Sequence, residues 1–489
     1  MTLIFNNHSF KYELESIVKL FFQAQLFTHL FDERNADGDI CFTHLKKGRC
    51  YTYFFCFVRI GSEKVRLSSR LKNDISDYKS GCELELSRLL FSCLEHLTGI
   101  SPKWGLITGV RPVKRVNGLL SEGKTKKEIF QILKEKFLVK NEKCELAYET
   151  AKTQRNIIES LDDRSFSLYV SIPFCPTRCA YCSFVSESMD KAKELIPLYV
   201  ENLCCELKYI SGLVNKLKLR LDTVYFGGGT PTSIEAFQLE KIMRTVSDCF
   251  DFSYLREYTV EAGRADTITE KKLEIIKKNG AARISINPQT LNDSVLKAIK
   301  RNHTAEQFFE SFSLARRLGF DNINTDLIAG LPTDTLESFK KTINGIILLS
   351  PENVTVHTLS IKRAAELNRK PGVILENPAP EMVDYAISTL TKAGYSPYYL
   401  YRQKNMMGNL ENTGFSKAGK ESLYNVYIME ELQTIIAAGA GASTKLVGKN
   451  SIERVFNYKH PLEYNNHFEL MLEKKKAITE FYESEGKHE

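Results

Sequence analysis

Six short runs rich in β-branched and aromatic residues alternate with helical patterns in the middle of this chain. The runs cover residues 168–172, 223–226, 258–261, 283–286, 322–328 and 354–359. Such alternation is typical of βαβ units that build a parallel sheet. Six units fit a barrel better than a dinucleotide-binding sheet, so we predict an α/β fold with a partial (β/α)6 barrel over residues 161–365. In such barrels the active residues lie at the C-terminal ends of the strands.

The residue pattern on either side of the barrel differs from that of the barrel. Residues 1–160 contain aromatic and β-branched strand material, as at 51–60, and we predict a separate N-terminal α+β domain of unknown role. Residues 365–380 hold three prolines and a glycine, which is typical of a linker or of a loop across the barrel mouth. We predict that residues 366–489 form a C-terminal α/β extension that covers the substrate.

Three cysteines follow the first strand of the predicted barrel, and their spacing is Cys-x3-Cys-x2-Cys. They are Cys175, Cys179 and Cys182. Structural zinc sites use four Cys or His ligands, commonly in two close pairs, and the sequence has no second Cys-x2-Cys or His-x3-His. Ordinary ferredoxin clusters take four thiolates in other spacings. We therefore predict a 4Fe–4S cluster with three thiolate ligands, whose fourth iron is open to a small ligand.

Polar features also follow the next strands. The glycine-rich turn 227–232 comes after the second strand, and its glycines would let backbone amides approach the carboxylate of an amino acid bound at the open iron. Glu261 ends the third strand, where a carboxylate can meet an ammonium group or a ribose hydroxyl. Asp326 stands in an apolar run where an unpaired charge would be costly, so we expect it to have a hydrogen-bonding or cationic partner.

Composition limits the cellular context and the partners. No uninterrupted apolar stretch reaches the roughly 18 residues of a membrane span, and residues 1–8 lack the pattern of a signal peptide. We expect a cytoplasmic monomer whose 12 cysteines are free or bound to the cluster. The net charge of +7 falls short of the basic stripe that marks nucleic-acid binding, so a nucleic-acid partner is not expected.

Several motifs together carry a resemblance to a known family. They are Tyr169-x5-Cys175 with the cysteine loop, Gly227-Gly-Gly-Thr-Pro-Thr232, Glu261, Ser285-Ile-Asn-Pro-Gln289, Arg301-Asn-His303 and Asp326-Leu-Ile-Ala-Gly-Leu-Pro332. In these motifs the chain resembles radical S-adenosylmethionine enzymes of the oxygen-independent coproporphyrinogen III dehydrogenase family, in the HemZ-type branch. The resemblance covers residues 168–444 and extends to the N-terminal domain.

The resemblance implies roles for individual residues. The three cysteines bind the 4Fe–4S cluster, whose free iron chelates the methionine part of S-adenosylmethionine. The positions that match contacts to this cofactor are Tyr169, Gly228 and Glu261. The positions that match a second S-adenosylmethionine site in the founding enzyme are Tyr181, Gly229, Thr230, Gln289, Arg301 and Asp326.

The resemblance also implies a reaction. A 5′-deoxyadenosyl radical removes hydrogen from propionates of coproporphyrinogen III, and loss of carbon dioxide and one electron leaves vinyl groups, giving protoporphyrinogen IX in two rounds. A flavodoxin or ferredoxin is the expected electron donor. Guanidinium groups pair bidentately with carboxylates, so Arg264, Arg363 and Arg402 are candidate clamps for the propionates.

Two departures from the family keep another function open. The founding enzyme carries a fourth cysteine two residues after the third, whereas this chain has Phe184, as do the haem-chaperone relatives. Those relatives carry a His-Asn-x-x-Tyr-Trp segment for haem, and here Tyr424 replaces the histidine and Met429 the tryptophan. The alternative is a haem-binding, chaperone-like protein without dehydrogenase activity. A third hypothesis, a radical enzyme that modifies tRNA, is disfavoured by the modest charge.

Overall fold

Residues 1–22, 25–32, 36–360, 365–369, 378–403, 406–449 and 451–485 are described by a computed structural model. The chain divides into two units, the first made of Met1–Tyr148 with Arg402–Leu410, and the second of Glu149–Tyr401 with Glu411–Glu489. The domain boundaries at 160/161 and 365/366 stay predictions. Half of the proline-rich segment 365–380, expected to be a linker or a loop across the barrel mouth, lies outside the described residues, at 370–377.

The first unit is built on a five-stranded sheet with the order β2-β1-β3-β4-β5. Its elements are β1 (Thr2–Asn6), α1 (Lys11–Phe21), β2 (Thr28–Phe31), β3 (Ile40–Lys47), β4 (Tyr51–Ile60), β5 (Glu63–Lys72), α2 (Tyr78–Thr98), α3 (Pro112–Ser121) and α4 (Lys126–Gln131), with a π-helical turn at Ile132–Lys136. Helix α5 (Asn141–Glu159) contains the boundary between the units. Alternate residues of β4 are buried in a core shared with α1 and α2, which explains the period-two pattern of its sequence.

The second unit contains the remaining elements. They are β6 (Ser165–Ile172), β7 (Phe174–Cys175), β8 (Glu187–Ser188), α6 (Met189–Ala192), α7 (Ile196–Lys216), β9 (Arg220–Gly228), α8 (Ala236–Cys249), β10 (Glu257–Glu261), α9 (Glu270–Lys278), β11 (Arg283–Ser285), α10 (Asp293–Ala298), α11 (Ala305–Arg317), β12 (Ile323–Ala329), α12 (Leu336–Leu349), β13 (Asn353–Thr358), α13 (Ala379–Lys392), β14 (Ser396–Tyr401), β15 (Asn412–Ser416), α14 (Leu423–Glu430), β16 (Thr434–Ala438), β17 (Ser443–Val447), β18 (Ile452–Phe456), α15 (Pro461–Asn466), α16 (Phe468–Lys474) and α17 (Lys476–Glu485).

The six predicted barrel strands are present, and they are neighbours in one parallel arrangement. Their order is β6-β9-β10-β11-β12-β13, with helices in the connections. Strand β16 adds in parallel beside β6, while β17 and β18 continue antiparallel beyond it. Strands β15 and β14 extend the other side, also antiparallel. The order of these 11 strands is linear in the described part of the chain, which confirms the prediction of a partial barrel.

A buried ion pair connects helix α7 with the C-terminal helices. Lys475 Nζ lies 3.0 Å from Glu206 Oε1, and both side chains have no solvent exposure. The Glu206 carboxylate also accepts hydrogen bonds from Asn457 Nδ2 at 2.9 Å and from the Tyr464 hydroxyl at 2.7 Å. Lys475 Nζ donates in addition to the carbonyl of Ala437 at 2.6 Å. These partners compensate the cost of removing both charges from water.

Among the described helices, none combines the length and apolar character that crossing a membrane requires.

Candidate functional site

The predicted site residues gather at the C-terminal edge of the parallel strands. The cysteine loop follows β6, the glycine-rich turn ends β9, Glu261 ends β10 and Asp326 lies in β12. Because carboxyl ends of parallel strands meet at one edge, these features share one end of the barrel.

The cysteine loop packs against two buried arginines. Arg264 Nη1 and Arg301 Nη1 donate to the sulfur of Cys179 at 3.9 and 3.8 Å. Cys179 is buried, whereas Cys175 and Cys182 are partly exposed. The two guanidinium groups therefore hold the middle cysteine of the loop in place from the barrel side.

The donor set of the loop fits a cluster better than a single metal ion. Within the described ranges, no three His, Cys, Asp or Glu side chains converge to hold one metal ion, as a zinc site would require. A 4Fe–4S cluster takes each thiolate on a different iron, so its three ligands need not meet at one point. Burial raises the pKa of Cys175 and of Cys182, and the neighbouring thiols add to the effect. Bound iron would offset this cost by holding the sulfurs as thiolates.

The glycine-rich turn lies directly on the cysteine loop. Gly228 has a φ of +111°, and a Cβ on Gly229 would lie 2.6 Å from the carbonyl oxygen of Phe174. The amide of Gly229 donates to the carbonyl of Ile172 at 2.9 Å, and that of Thr230 to the carbonyl of Phe174 at 2.7 Å. The expectation that these amides face a ligand is therefore wrong for Gly229 and Thr230. The small residues allow a close approach of two backbone segments.

A stack of three tyrosines lies beside Glu261. The rings of Tyr225 and Tyr424 are stacked with centroids 4.3 Å apart, and Tyr169 lies 6.2 Å from each of them. The Tyr225 hydroxyl donates to Glu261 Oε1 at 2.5 Å. No role was predicted for Tyr225, although it lies two positions before the glycine-rich turn.

Tyr424 is held in place by a buried carboxylate at the start of α14. Glu257 accepts hydrogen bonds from the hydroxyl of Ser422 at 2.9 Å and from the amide of Leu423 at 2.8 Å. A carboxylate at this end of a helix satisfies free amides and complements the helix dipole. Arg283 Nε lies 3.4 Å from the same carboxylate and balances its charge. The ring of Tyr424 is therefore fixed in the barrel interior rather than on the surface.

The Glu261 carboxyl is poised between its two protonation states. Burial raises the pKa of Glu261 to about 7, the charge of Asp326 adds to the rise, and the hydrogen bond from Tyr225 acts in the opposite direction. Near neutral pH this group can therefore hold or release a proton, and an ammonium group beside it would favour the carboxylate.

The raised pKa makes protein stability depend on pH through this residue. The folded protein binds the Glu261 proton more tightly than the unfolded chain, so its contribution is full below about pH 4.5 and is lost as the pH rises through about 7. The cofactor-free Glu261→Gln and wild-type proteins are compared at about pH 5 and at about pH 8. We expect the melting temperature of the variant, relative to that of wild type, to be higher at about pH 8 than at about pH 5 by roughly 4 °C. Thermal unfolding followed by circular dichroism measures this difference.

Glu274→Gln on the exposed side of α9 is the matched control, and its difference from wild type should not change with pH. A Glu261→Gln difference that is equally independent of pH would contradict the assignment.

Asp326 has the partners that its apolar surroundings required, which confirms that expectation. Asn324 Nδ2 donates to Asp326 Oδ1 at 2.8 Å, and Asn287 Nδ2 to Oδ2 at 2.8 Å. His357 Nε2 lies 3.9 Å from Oδ2. Burial works to raise the pKa of Asp326, but His357 and hydrogen bonds from Asn324 and Thr355 hold it below its usual range. Asn287 and His357 were not predicted as partners, although Asn287 lies within the Ser285–Gln289 motif.

The other predicted positions lie at the same end of the barrel. Gln289 has a φ of 69°, and its buried Oε1 has no hydrogen-bond partner among the described residues. Arg301 donates to the carbonyl of Gly263 at 2.6 Å and to the hydroxyl of Tyr181 at 3.3 Å. Thr230 Oγ1 lies 3.5 Å from the sulfur of Cys175. The buried Oε1 of Gln289 is an unpaired hydrogen-bond acceptor on a residue with left-handed backbone conformation. A polar ligand could satisfy such a group.

The two candidate clamps that the structure describes, Arg264 and Arg402, have other partners. Arg264 pairs with Asp266 at 2.6 Å and donates to the carbonyl of Thr177 at 2.9 Å, so it braces the cysteine loop. Arg402 belongs to the first unit and donates to the carbonyl of Asn409 at 2.7 Å. Arg363 lies outside the described residues. Neither described arginine is placed as a free clamp, because each guanidinium group already donates to acceptors of the protein.

Comparison with known proteins identifies a matching family, related sequences and a solved structure with a similar fold. Residues 169–346 match the radical SAM superfamily. The chain is 40% identical over 411 residues to the oxygen-independent coproporphyrinogen-III oxidase-like protein HemZ of Bacillus subtilis, covering 82% of each chain. It is 31% identical over 287 residues to the heme chaperone HemW of Lactococcus lactis, covering 58% of this chain and 70% of the relative.

Among solved structures, coproporphyrinogen III oxidase (HemN) from Escherichia coli has a similar fold. The TM-score is 0.52 at 22% sequence identity, and the similarity covers 66% of this chain and 73% of that one. At this identity the likeness concerns the fold alone.

Proposed function

The chain belongs to the radical S-adenosylmethionine family of oxygen-independent coproporphyrinogen III dehydrogenases, in its HemZ-type branch, and on that basis we propose that it converts coproporphyrinogen III to protoporphyrinogen IX. In this reaction two propionate side chains each lose carbon dioxide and become vinyl groups without oxygen. An electron donor of the flavodoxin or ferredoxin type supplies one electron per round, and a one-electron acceptor takes the electron released with the carbon dioxide. We place the reaction in the cytoplasm, where thiols stay reduced.

The protein uses a 4Fe–4S cluster and S-adenosylmethionine. When both are bound and the cluster is reduced, they supply a 5′-deoxyadenosyl radical that can remove hydrogen from a propionate β-carbon. In our proposal the cluster is held by the three cysteines of the loop. The cofactor is contacted by Tyr169, Gly228 and Glu261, and a second molecule by Tyr181, Gly229, Thr230, Gln289, Arg301 and Asp326.

The residues of the chain itself would bind, orient and exclude water. The Gly229 and Thr230 amides fix the cysteine loop against β9, which holds the ligands in one arrangement. The Glu261 carboxylate can accept a hydrogen bond from an ammonium group, and the Tyr225 hydroxyl orients it. Asp326 stays ionised and is oriented by Asn287 and Asn324, so it can accept hydrogen bonds from hydroxyl or ammonium groups.

The observation that carries the proposal over a chaperone role is the position of Tyr424. This residue stands where the chaperone relatives have a haem-binding histidine, yet it is 4% exposed and stacked on Tyr225. A phenol engaged in this stack is a poor substitute for an axial imidazole. The buried position of Tyr424 therefore favours an enzyme, in which the segment around this residue fills the barrel interior.

The test is a reaction under strictly anaerobic conditions with the reconstituted protein. Coproporphyrinogen III, S-adenosylmethionine, a chemical reductant and a one-electron acceptor are added, and the porphyrins are oxidised and separated by chromatography. We expect the divinyl product, with one 5′-deoxyadenosine formed for each carbon dioxide released. Tight haem binding without any vinyl product would contradict the proposal.

A haem-carrying function is the second candidate, and Phe184 is the observation that favours it. Phe184 is 68% exposed where the founding enzyme has a fourth cysteine, as in the chaperone relatives. Titration of the cofactor-free protein with haem, followed by visible absorption, tests this candidate independently of the vinyl assay.

A further inference from the structure

One face of the first unit's sheet carries aromatic and cationic side chains and no carboxylate. We call those outward positions of β3, β4 and β5 that are not buried the aromatic–cationic face. These positions are Phe42, His44, Lys46, Tyr51, Tyr53, Phe55, Phe57, Arg59, Lys64, Arg66, Ser68, Arg70 and Lys72. The alternate positions of β4 point into the hydrophobic core, so this face is the one that looks away from α1 and α2.

The register of the three strands places cations next to aromatic rings. Tyr53 of β4 pairs with Lys46 on one side and with Arg70 on the other. Phe57 pairs with Phe42 and with Arg66 in the same way. Rings therefore run along the middle strand, and positive charges flank them on the edge strand β5.

The cations on β5 are not neutralised by acidic neighbours. Within the described residues, neither Arg66 nor Arg70 forms an ion pair with a carboxylate, and both side chains are exposed. Their guanidinium groups lie over rings instead, Arg66 at 5.8 Å from the Phe57 centroid and Arg70 at 4.9 Å from that of Tyr51. A cavity of about 430 Å³ opens on this face and is lined by Lys46, Tyr53 and Arg70 among others. Tyr53 is 49% exposed.

We propose that the aromatic–cationic face binds single-stranded nucleic acid. Alternate residues along a strand are separated by roughly 6.7 Å, so rings at 53, 55 and 57 can each receive one base of an extended strand. Flanking lysine and arginine side chains can then contact the phosphates. The modest net charge of the whole chain gives no sign of this face, because the positive charge of the face is concentrated on one strand. An anionic membrane surface would use the same cations, but it has no use for rings at regular spacing. This inference does not depend on the proposed porphyrin chemistry.

Fluorescence anisotropy with labelled oligo(U) and oligo(dT) of about 12 nucleotides tests the proposal, using the full-length protein in about 0.15 M salt. We expect saturable binding that weakens as salt is raised. Arg66→Glu combined with Arg70→Glu should weaken binding at least about tenfold and lower the salt slope by about 1.4. Tyr53→Leu combined with Phe55→Leu keeps apolar volume without a π-face, and should weaken binding at least about fivefold while leaving the salt slope unchanged.

Arg317→Glu combined with Lys341→Glu is the matched control, because it makes the same charge change at exposed positions on the barrel helices α11 and α12. This variant should bind like wild type. Absence of binding to both oligonucleotides, or an equal loss in the control variant, would overturn the proposal. Binding to vesicles containing phosphatidylserine without binding to oligonucleotides would also overturn it and assign the face to membranes.

Discussion

The Cys179→Ser variant is expected to lose at least about 100-fold of the 5′-deoxyadenosine formation seen with wild type after identical anaerobic reconstitution. Cys179 is the most buried thiol of the loop, and two guanidinium groups lie within hydrogen-bond distance of its sulfur. A serine hydroxyl has a far higher pKa than a thiol and is a harder ligand, so it does not replace a thiolate on iron. Iron content, visible absorption and chromatography of the nucleoside products measure the loss.

Cys205→Ser is the control for this exchange. Cys205 is exposed on α7 and makes no contribution to the cysteine loop, so the variant should keep its iron and its activity. A Cys179→Ser protein that holds as much iron as wild type and cleaves S-adenosylmethionine at the same rate would show that the loop is not the cluster site.

The second large effect concerns the buried pair Glu206–Lys475. Lys475→Met should lower the free energy of unfolding of the second unit by about 3–5 kcal/mol, because it leaves a carboxylate without its counter-charge in a site closed to solvent. The hydrogen bonds from Asn457 and Tyr464 remain but do not replace a positive charge. Urea unfolding followed by circular dichroism, analysed for the transition of this unit, measures the change.

Two further variants define the cause. Lys476→Met changes an exposed lysine one position away and should shift the unfolding midpoint little. Glu206→Gln combined with Lys475→Met removes both charges and should recover part of the lost stability. Equal midpoints for Lys475→Met and Lys476→Met would contradict the account of this pair.

The barrel could be predicted from the sequence because its strands are local features. Each of the six strand-like runs overlaps an observed strand, since alternation of β-branched runs with amphipathic helices is encoded over short stretches. The bounds differ by a few residues, as at β9, which begins at Arg220 rather than at 223.

The contacts within the site could not be predicted from the sequence in the same way. The amides of Gly229 and Thr230 point to Ile172 and Phe174 because of how two loops fold together, and spacing along the chain carries no sign of it. His357 meets Asp326 only because β12 and β13 are adjacent in the sheet.

Arg264 shows that residue type does not identify the partner of an arginine. Arg264 was a candidate substrate clamp, yet its carboxylate partner is Asp266, two positions along the chain, and its other contacts are in the cysteine loop. Residue type alone predicts that an arginine will find an acceptor, not which one. The stack of Tyr225 on Tyr424 joins residues far apart in sequence and was likewise outside what a pattern can indicate.

The central claim is that Cys175, Cys179 and Cys182 hold a 4Fe–4S cluster with one iron open to S-adenosylmethionine. Electron paramagnetic resonance of the reduced, reconstituted protein, recorded with and without S-adenosylmethionine, tests it most directly. We predict the signal of a reduced 4Fe–4S cluster whose g values shift on addition of S-adenosylmethionine, and no such signal in a variant with all three cysteines changed to alanine. A cluster signal that does not respond to S-adenosylmethionine, or one that persists in the triple variant, would contradict the account.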